Sequence, residues 1–83
     1  MTLEKRIRSI MADSLEVDEG IIGDDASVHT IARWDSLQHL RLIMALQEEF
    51  SVRFQDIEIP ELVSFRAIRD AIMAKLALHD KAR

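Results

Sequence analysis

The strongest constraint on the fold of this chain is a helix that must begin just after Asp35. Asp35 is a favourable N-cap residue and Gln38 follows it three positions later, so the pair predicts a capping box. Apolar residues then recur at helical spacing as far as Phe50. We therefore predict a helix over residues 36–50 that buries an apolar face in a small helical bundle.

This helix carries two apolar stripes when its residues are placed at about 100° intervals. The first stripe consists of His39, Leu42, Ile43, Leu46 and Phe50. The second consists of Leu37, Leu40 and Met44 and lies beside Ser36. A helix of a small bundle normally buries one face, so the second stripe indicates a surface for another protein. Burial of both stripes between helices is the alternative.

Three further segments complete the predicted fold. A first amphipathic helix is predicted over residues 3–16, with Thr2 as its cap and with Leu3, Ile7, Ile10, Met11 and Leu15 at helical spacing. A short third helix is predicted over residues 56–62, because Pro60 is tolerated in a first turn. A last helix, capped by Ser64, has the apolar set Phe65, Ile68, Ile72 and Leu76. Residues 79–83 are expected to form a frayed tail.

A long acidic loop separates the first two helices. Its apolar residues Ile21, Ile22, Val28 and Ile31 are expected to anchor it on the core. Trp34 is interpreted as a residue that staples the loop to the helix start, or alternatively as an aromatic surface for a partner. The fold class is therefore all-α: a four-helix bundle of three longer helices and a short third one, in a single domain of 83 residues.

The composition excludes several classes of function. With 15 acidic and 11 basic residues the net charge is −4, the wrong sign for neutralising nucleic-acid phosphates. No cysteine is present, so the chain has no thiolate of its own and fits a reducing compartment. The histidines at 29, 39 and 79 lack a metal-ligand spacing. No segment resembles a signal peptide or a membrane span, so we expect a cytoplasmic protein.

Ser36 is the residue that offers chemistry. Free backbone N–H groups and the positive end of the helix dipole meet at this position, which suits a phosphate ester on the serine oxygen. Asp35, Ser36 and His39 lie close in sequence, but no Gly-x-Ser-x-Gly elbow or oxyanion loop accompanies them, which argues against a hydrolase. His39 is better explained as a neutral, hydrogen-bonded residue of the core or of an internal pocket.

The order of these features resembles the acyl carrier proteins, a family of small acidic four-helix domains. Asp35-Ser36-Leu37 opens the second helix, and Leu42-Ile43-Met44-Ala45-Leu46 and Glu48-Glu49-Phe50 follow it. The resemblance implies that a phosphopantetheinyl transferase moves 4′-phosphopantetheine from coenzyme A to Ser36. Acyl groups would then be carried as thioesters on the arm and passed to enzymes of fatty-acid, polyketide or related acyl pathways. The chain would be a monomeric carrier and not an enzyme.

The chain departs from the family where partners are expected to dock. Fatty-acid carriers expose several acidic residues on the second helix, whereas this chain has Gln38, Arg41 and Gln47. This difference predicts a specialised carrier. The predicted partner surface comprises Leu37, Gln38, Arg41, Met44, Ala45 and Glu48. The predicted acyl pocket comprises His39, Leu42, Ile43, Leu46 and Ile68.

Two alternatives remain open from the residues. A peptidyl or aminoacyl carrier would share the serine and the arm, but the Gly-Gly-His/Asp-Ser pattern usual in that family is absent before Ser36. An unmodified helical adaptor would explain the second apolar stripe, but it would leave the capped serine without a role.

Overall fold

The computed structural model describes residues 2–81 of the chain, with side chains through Ala77. It contains three α-helices: α1 (Leu3–Leu15), α2 (Ser36–Phe50) and α3 (Phe65–Lys81). Two 3₁₀ turns, Glu19–Ile21 and Ile59–Glu61, lie in the connections. The described residues form no strand, and Ser27 and Ser64 are joined by an isolated antiparallel bridge. The prediction of an all-α fold with three longer helices is confirmed.

Both ends of α1 follow from local hydrogen bonding. The backbone N–H of Lys5 donates to Thr2 Oγ1 at 3.2 Å, so Thr2 caps the helix as predicted. Glu16 takes a left-handed conformation with φ of 58°, and its N–H donates to the carbonyl of Ala12. The helix therefore ends at Leu15, one residue before the predicted boundary.

α2 spans the predicted residues, but only half of the predicted capping box forms. The carboxylate of Asp35 accepts the N–H of Gln38 at 2.9 Å, which fixes the start of the helix. The side chain of Gln38 does not return this bond, because the N–H of Asp35 donates to the carbonyl of Arg33 at 3.0 Å instead. Gln38 Oε1 is buried without a hydrogen-bond partner. The reciprocal half of the box was wrongly predicted.

The predicted short third helix is a 3₁₀ turn rather than an α-helix. It covers Ile59–Glu61 and contains Pro60, which has no N–H to donate to an α-helical ladder. Ser64 then caps α3, because its Oγ accepts the N–H of Ala67 at 3.1 Å. α3 continues to Lys81. The tail predicted for residues 79–83 includes Ala82 and Arg83, which lie outside the described residues.

One hydrophobic core joins the helices and the long loop. α1 contributes Ile7, Met11 and Leu15, α2 contributes Leu42, Ile43, Leu46 and Phe50, and α3 contributes Phe65, Ile68 and Ile72. Of the predicted loop anchors, Ile22 and Ile31 are buried and Val28 packs partly against the core. Ile21 is 55% exposed and was wrongly predicted as an anchor, because the turn directs the adjacent Ile22 inward.

The loop is held over the bundle by polar contacts as well. Arg8 Nε donates to the carbonyl of Ile22 at 3.0 Å, and its guanidinium pairs with the carboxylate of Asp24. The same guanidinium lies 4.5 Å from the centre of the Phe65 ring. These contacts hold the first half of the long loop against α1 and the start of α3. In residues 2–81, no helix is both long and apolar enough to cross a membrane.

Candidate functional site

Ser36 is an exposed residue at the first position of α2. Asp35 precedes it in an extended conformation, and one oxygen of the Asp35 carboxylate is occupied by the N–H of Gln38. The N–H groups of the first turn point out of the helix, where its dipole is positive. A phosphate ester on Ser36 Oγ would therefore have open space around it and a favourable potential behind it.

A hydrogen-bonded bridge lies directly beside Ser36. The indole N–H of Trp34 donates to His39 Nδ1 at 2.9 Å. On the other side of the same imidazole, Nε2 lies 2.8 Å from the carbonyl oxygen of Ile59. Trp34 is only 4% exposed, so it docks on the bundle as a core residue, as its position before the helix start predicts. The bridge ties three segments together: the end of the long loop, α2 and the second 3₁₀ turn.

The two partners of His39 determine its tautomer. An indole N–H can only donate, so Nδ1 must accept and carries no proton. A carbonyl oxygen can only accept, so Nε2 must carry the proton. This arrangement assigns the proton to Nε2, and both ring nitrogens are occupied. An imidazole held in this way is not available as a general base for Ser36.

An open cleft of about 350 Å³ lies in front of this bridge. Its lining residues are Val28, Trp34, Asp35, Ser36, His39, Pro60 and Val63. Of the predicted acyl-pocket residues, the structure brings only His39 to this cleft. Leu42, Ile43, Leu46 and Ile68 are instead buried in the core. A cargo that reached them would have to displace core side chains.

The second apolar stripe of α2 is exposed. Leu37, Leu40 and Met44 have 65%, 54% and 67% of their surface accessible. The alternative in which both stripes are buried between helices is therefore wrong. A stripe of large apolar side chains next to Ser36 has the character of a contact surface for another protein.

Basic side chains flank the stripe. Arg33 Nη2 lies 2.9 Å from Glu16 Oε1, and Arg41 Nη1 lies 4.0 Å from Glu16 Oε2. Both arginine side chains remain more than half exposed, so these surface pairs contribute little to stability. Two arginines and one glutamate therefore lie beside the apolar stripe that adjoins Ser36. In the described residues, no cluster of potential metal ligands is found.

Glu58 stabilises the segment that supplies the Ile59 carbonyl. The backbone N–H of Gln55 donates to Glu58 Oε2 at 2.7 Å, and Lys75 Nζ lies 3.0 Å from the same oxygen. The hydrogen bond from the Gln55 N–H is the larger cause and the contact with Lys75 the smaller one, and both hold the pKa of the Glu58 carboxyl below its usual range. Lys75 also lies 5.2 Å from the centre of the Phe54 ring, which joins the segment to α3.

The stabilisation by Glu58 should depend on pH. Because its pKa is lowered in the folded state, its contribution is present above the unfolded value near 4.5 and is lost as pH falls through the folded pKa. We expect Glu58→Gln to lower the urea midpoint at about pH 7, with the difference from wild type shrinking towards about pH 3. Glu61→Gln, at an exposed position, is the control. A difference that persists unchanged at acid pH would contradict the role given to Glu58.

The sequence did not predict that Val28, Pro60 and Val63 line a cleft beside Ser36. The Ile59 carbonyl is 20 residues from His39. Every residue type has a backbone carbonyl, so residue identity could not reveal this partner. Val28 was predicted as an anchor and Pro60 as part of the first turn of a short helix, but neither was placed beside Ser36. Val63 had no predicted role.

Comparison with known proteins identifies the family. The family model described as the phosphopantetheine attachment site matches residues 5–72. An acyl carrier protein of Thermosynechococcus vestitus is 37% identical over 73 residues, which cover 88% of this chain and 90% of the relative. The chain belongs to the acyl carrier protein family. Its fold is similar to the solution structure of a holo acyl carrier protein from Geobacter metallireducens, with a TM-score of 0.85. That similarity covers 100% of this chain and 95% of the other, at 24% identity.

Members of this family carry 4′-phosphopantetheine as their prosthetic group, and the surroundings of Ser36 in this chain fit that group. Ser36 presents an exposed hydroxyl at a capped helix start, and the adjoining cleft has room for part of an attached arm. When bound, the group supplies a terminal thiol. The family to which the chain belongs consists of non-catalytic carriers.

Proposed function

We propose that this protein carries acyl groups as thioesters on a 4′-phosphopantetheine arm attached to Ser36. The observation that carries the proposal is the exposed Ser36 hydroxyl at the capped start of α2, in a member of the phosphopantetheine attachment family. Asp35 fixes the helix start, and Leu37 presents an apolar side chain next to the serine. The three residues together form the attachment site.

The absence of cysteine makes the arm necessary for this function. A thioester needs a thiol, and the 83 residues contain none. A phosphopantetheinyl transferase would join Ser36 Oγ to the phosphorus of phosphopantetheine and break the pyrophosphate bond of coenzyme A. Adenosine 3′,5′-bisphosphate leaves, and the serine proton passes to a base of the transferase. The product carries the sulfur that the chain lacks.

Partner enzymes dock on the α2 surface beside Ser36 in this proposal. Its apolar centre is formed by Leu37 and Met44, and the surface comprises Leu37, Gln38, Arg41, Met44, Ala45 and Glu48. Arg41 and the nearby Arg33 make it less acidic than the corresponding surface of fatty-acid carriers. This difference supports a dedicated acyl pathway over general fatty-acid synthesis. The protein would act as a monomeric single domain in the reducing cytoplasm, which its lack of cysteine suits.

The charge of Arg41 gives this part of the proposal a test. A transferase that reads acidic carriers through a basic patch should modify Arg41→Glu several-fold faster than wild type, with the gain shrinking as salt is raised. Arg66→Glu on α3 is the matched control, because Arg66 is equally exposed and lies outside the proposed surface. Equal acceleration of both variants would show that net charge, and not the α2 surface, sets the rate.

The cargo would meet the bundle at His39 if it folded back. Leu42, Ile43, Leu46 and Ile68 are buried in the core and have to separate to admit an acyl chain. Loading a medium-length acyl group should therefore speed amide exchange in α2 and α3 and shift core methyl resonances. Unchanged exchange and shifts would place the cargo outside the core.

The function itself is tested by loading the modified protein. Holo protein, incubated with an acyl donor and an acyl-loading enzyme, should gain one acyl mass, and neutral hydroxylamine should remove it. The unmodified protein has no cysteine and should gain nothing under the same conditions. Loading of aminoacyl but not acyl groups would replace the proposal by an aminoacyl carrier. A partner that binds the unmodified Ser36→Ala variant as tightly as the holo protein would favour an adaptor.

A further inference from the structure

Arg41 is the first charged residue of α2, and its guanidinium has no close partner. Its Nη1 lies 4.0 Å from Glu16 Oε2, which is too long for a hydrogen bond. Among the residues whose side chains the structure describes, Glu16 has the only carboxylate within this distance of Arg41. A guanidinium has five N–H donors, so those of Arg41 are available to a partner protein.

Arg33 adds a second positive charge beside that of Arg41. Its Nε donates to the carbonyl of Leu15 at 3.2 Å, and its Nη2 lies 2.9 Å from Glu16 Oε1. These two contacts hold Arg33 against the end of α1. Two guanidiniums share one carboxylate, so the three side chains together carry a net charge of +1. Of the two arginines, Arg41 is the one that can turn towards a partner.

Arg41 also adjoins the apolar centre of the proposed partner surface. It follows Leu37 by four residues and precedes Met44 by three, so it lies next to both on the helix surface. Glu48 borders Met44 at the other end, about 10 Å farther along the helix axis than Arg41. Glu49 faces α1 instead, where it pairs with an arginine of that helix. The part of the stripe nearest Ser36 is therefore bordered by a positive charge of α2.

Carboxylates near the arginines limit the kind of anion that can dock. Asp13 and Glu16 line the same groove as Arg41, and Asp35 caps the start of α2. Together with the net charge of −4, these groups repel an extended polyanion such as a nucleic acid or an anionic membrane. A single carboxylate on a protein surface, in contrast, can pair with one guanidinium through two parallel hydrogen bonds.

Resting on the function proposed above, we propose that the acyl-loading partner of this carrier presents a carboxylate to Arg41, at the edge of an apolar pocket that receives Leu37 and Met44. The partner is thus an enzyme with an acidic docking face. This polarity is the reverse of that expected for fatty-acid carriers, whose second helix is acidic. Opposite charges at Arg41 speed the encounter with such an enzyme and disfavour enzymes with a basic docking face.

The sign of the Arg41 effect tests the proposal. Wild-type and Arg41→Glu holo proteins are given the same acyl donor and two kinds of acyl-loading enzyme, with acidic or with basic side chains around the opening that receives the arm. We expect Arg41→Glu to lower kcat/KM at least about tenfold with the acidic enzymes and to raise it with the basic ones. Both effects should shrink as NaCl is raised from about 0.05 to about 0.5 M.

A compensating change and a control locate the contact. Lysine in place of the enzyme carboxylate that opposes Arg41 should restore acylation of Arg41→Glu. Arg66→Glu makes the same charge change at an equally exposed residue of α3, and its kcat/KM should stay close to that of wild type. Arg41 loses only one long ion pair on substitution, so we expect both variants to keep the wild-type urea midpoint.

The outcomes separate this proposal from the function on which it rests. If wild type gains no phosphopantetheine mass, or if the holo protein accepts no acyl group, the carrier function fails. If wild type is acylated but prefers the basic enzymes, or if Arg41→Glu loses nothing with the acidic ones, the docking proposal is overturned and the function stands. A loss that no lysine replacement recovers, or an equal loss in Arg66→Glu, would also overturn it, because Arg41 would then pair with no carboxylate.

Discussion

Trp34→Ala is expected to lower the free energy of unfolding by about 3–5 kcal/mol, the usual cost of truncating a large buried aromatic side chain. The loss would come from the cavity left by the indole and from His39 Nδ1, which would lose its donor. Domains of this size have total stabilities of about 5–15 kcal/mol, so the variant would be close to unfolding at 37 °C. Urea unfolding followed by circular dichroism gives the value.

Trp34→Phe is the matched control. Phenylalanine retains most of the apolar volume and removes the N–H donor, so the expected loss is about 1–3 kcal/mol, which corresponds to a buried acceptor left unpaired. A loss below about 1 kcal/mol for Trp34→Ala would mean that Trp34 does not tie the loop to α2. An equal loss in both variants would assign the whole effect to the hydrogen bond with His39.

Met44→Asp is expected to impair modification and delivery without affecting the fold. Met44 is 67% exposed on the stripe beside Ser36, so a charge there is already in solvent in the free protein. In a complex the carboxylate would be buried against an apolar partner, with a loss of about 2 kcal/mol or more. That corresponds to roughly a 30-fold lower kcat/KM with the phosphopantetheinyl transferase.

Met73→Asp provides the comparison for Met44. Met73 is 51% exposed on α3, outside the proposed partner surface. We expect this variant to be modified at the wild-type rate, and both variants to keep the wild-type urea midpoint within error. Equal loss of rate in the two variants would mean that the α2 stripe makes no specific contribution to partner binding.

The three helices could be predicted because their information is local. Apolar spacing marks the buried face of each helix, and Thr2, Asp35 and Ser64 mark the three starts. The exposed stripe was also predictable, because two apolar faces on α2 exceed what one small core can cover. Position and exposure of Ser36 follow from the same helix start.

The cleft and the hydrogen bonds that join Trp34, His39 and Ile59 could not be predicted because they depend on tertiary contacts. His39 contacts a backbone carbonyl on a turn 20 residues away, and the N–H of Val28 donates to the carbonyl of Val63, which lies in a different connection. The capping box failed for a local reason, because the Asp35 N–H donates to the carbonyl of Arg33 and not to the side chain of Gln38. Local patterns set the helices, whereas loop packing decides what surrounds Ser36.

The attachment of the arm to Ser36 is tested most directly by intact mass. Wild-type protein, Ser36→Ala and the control Ser14→Ala are each incubated with coenzyme A and a broad-specificity phosphopantetheinyl transferase. Ser14 lies on α1 and is not part of the attachment site, and alanine suits a helix interior. We expect a gain of one phosphopantetheine group in wild type and in Ser14→Ala, and no gain in Ser36→Ala. A gain that survives in Ser36→Ala, or no gain in wild type, would contradict it.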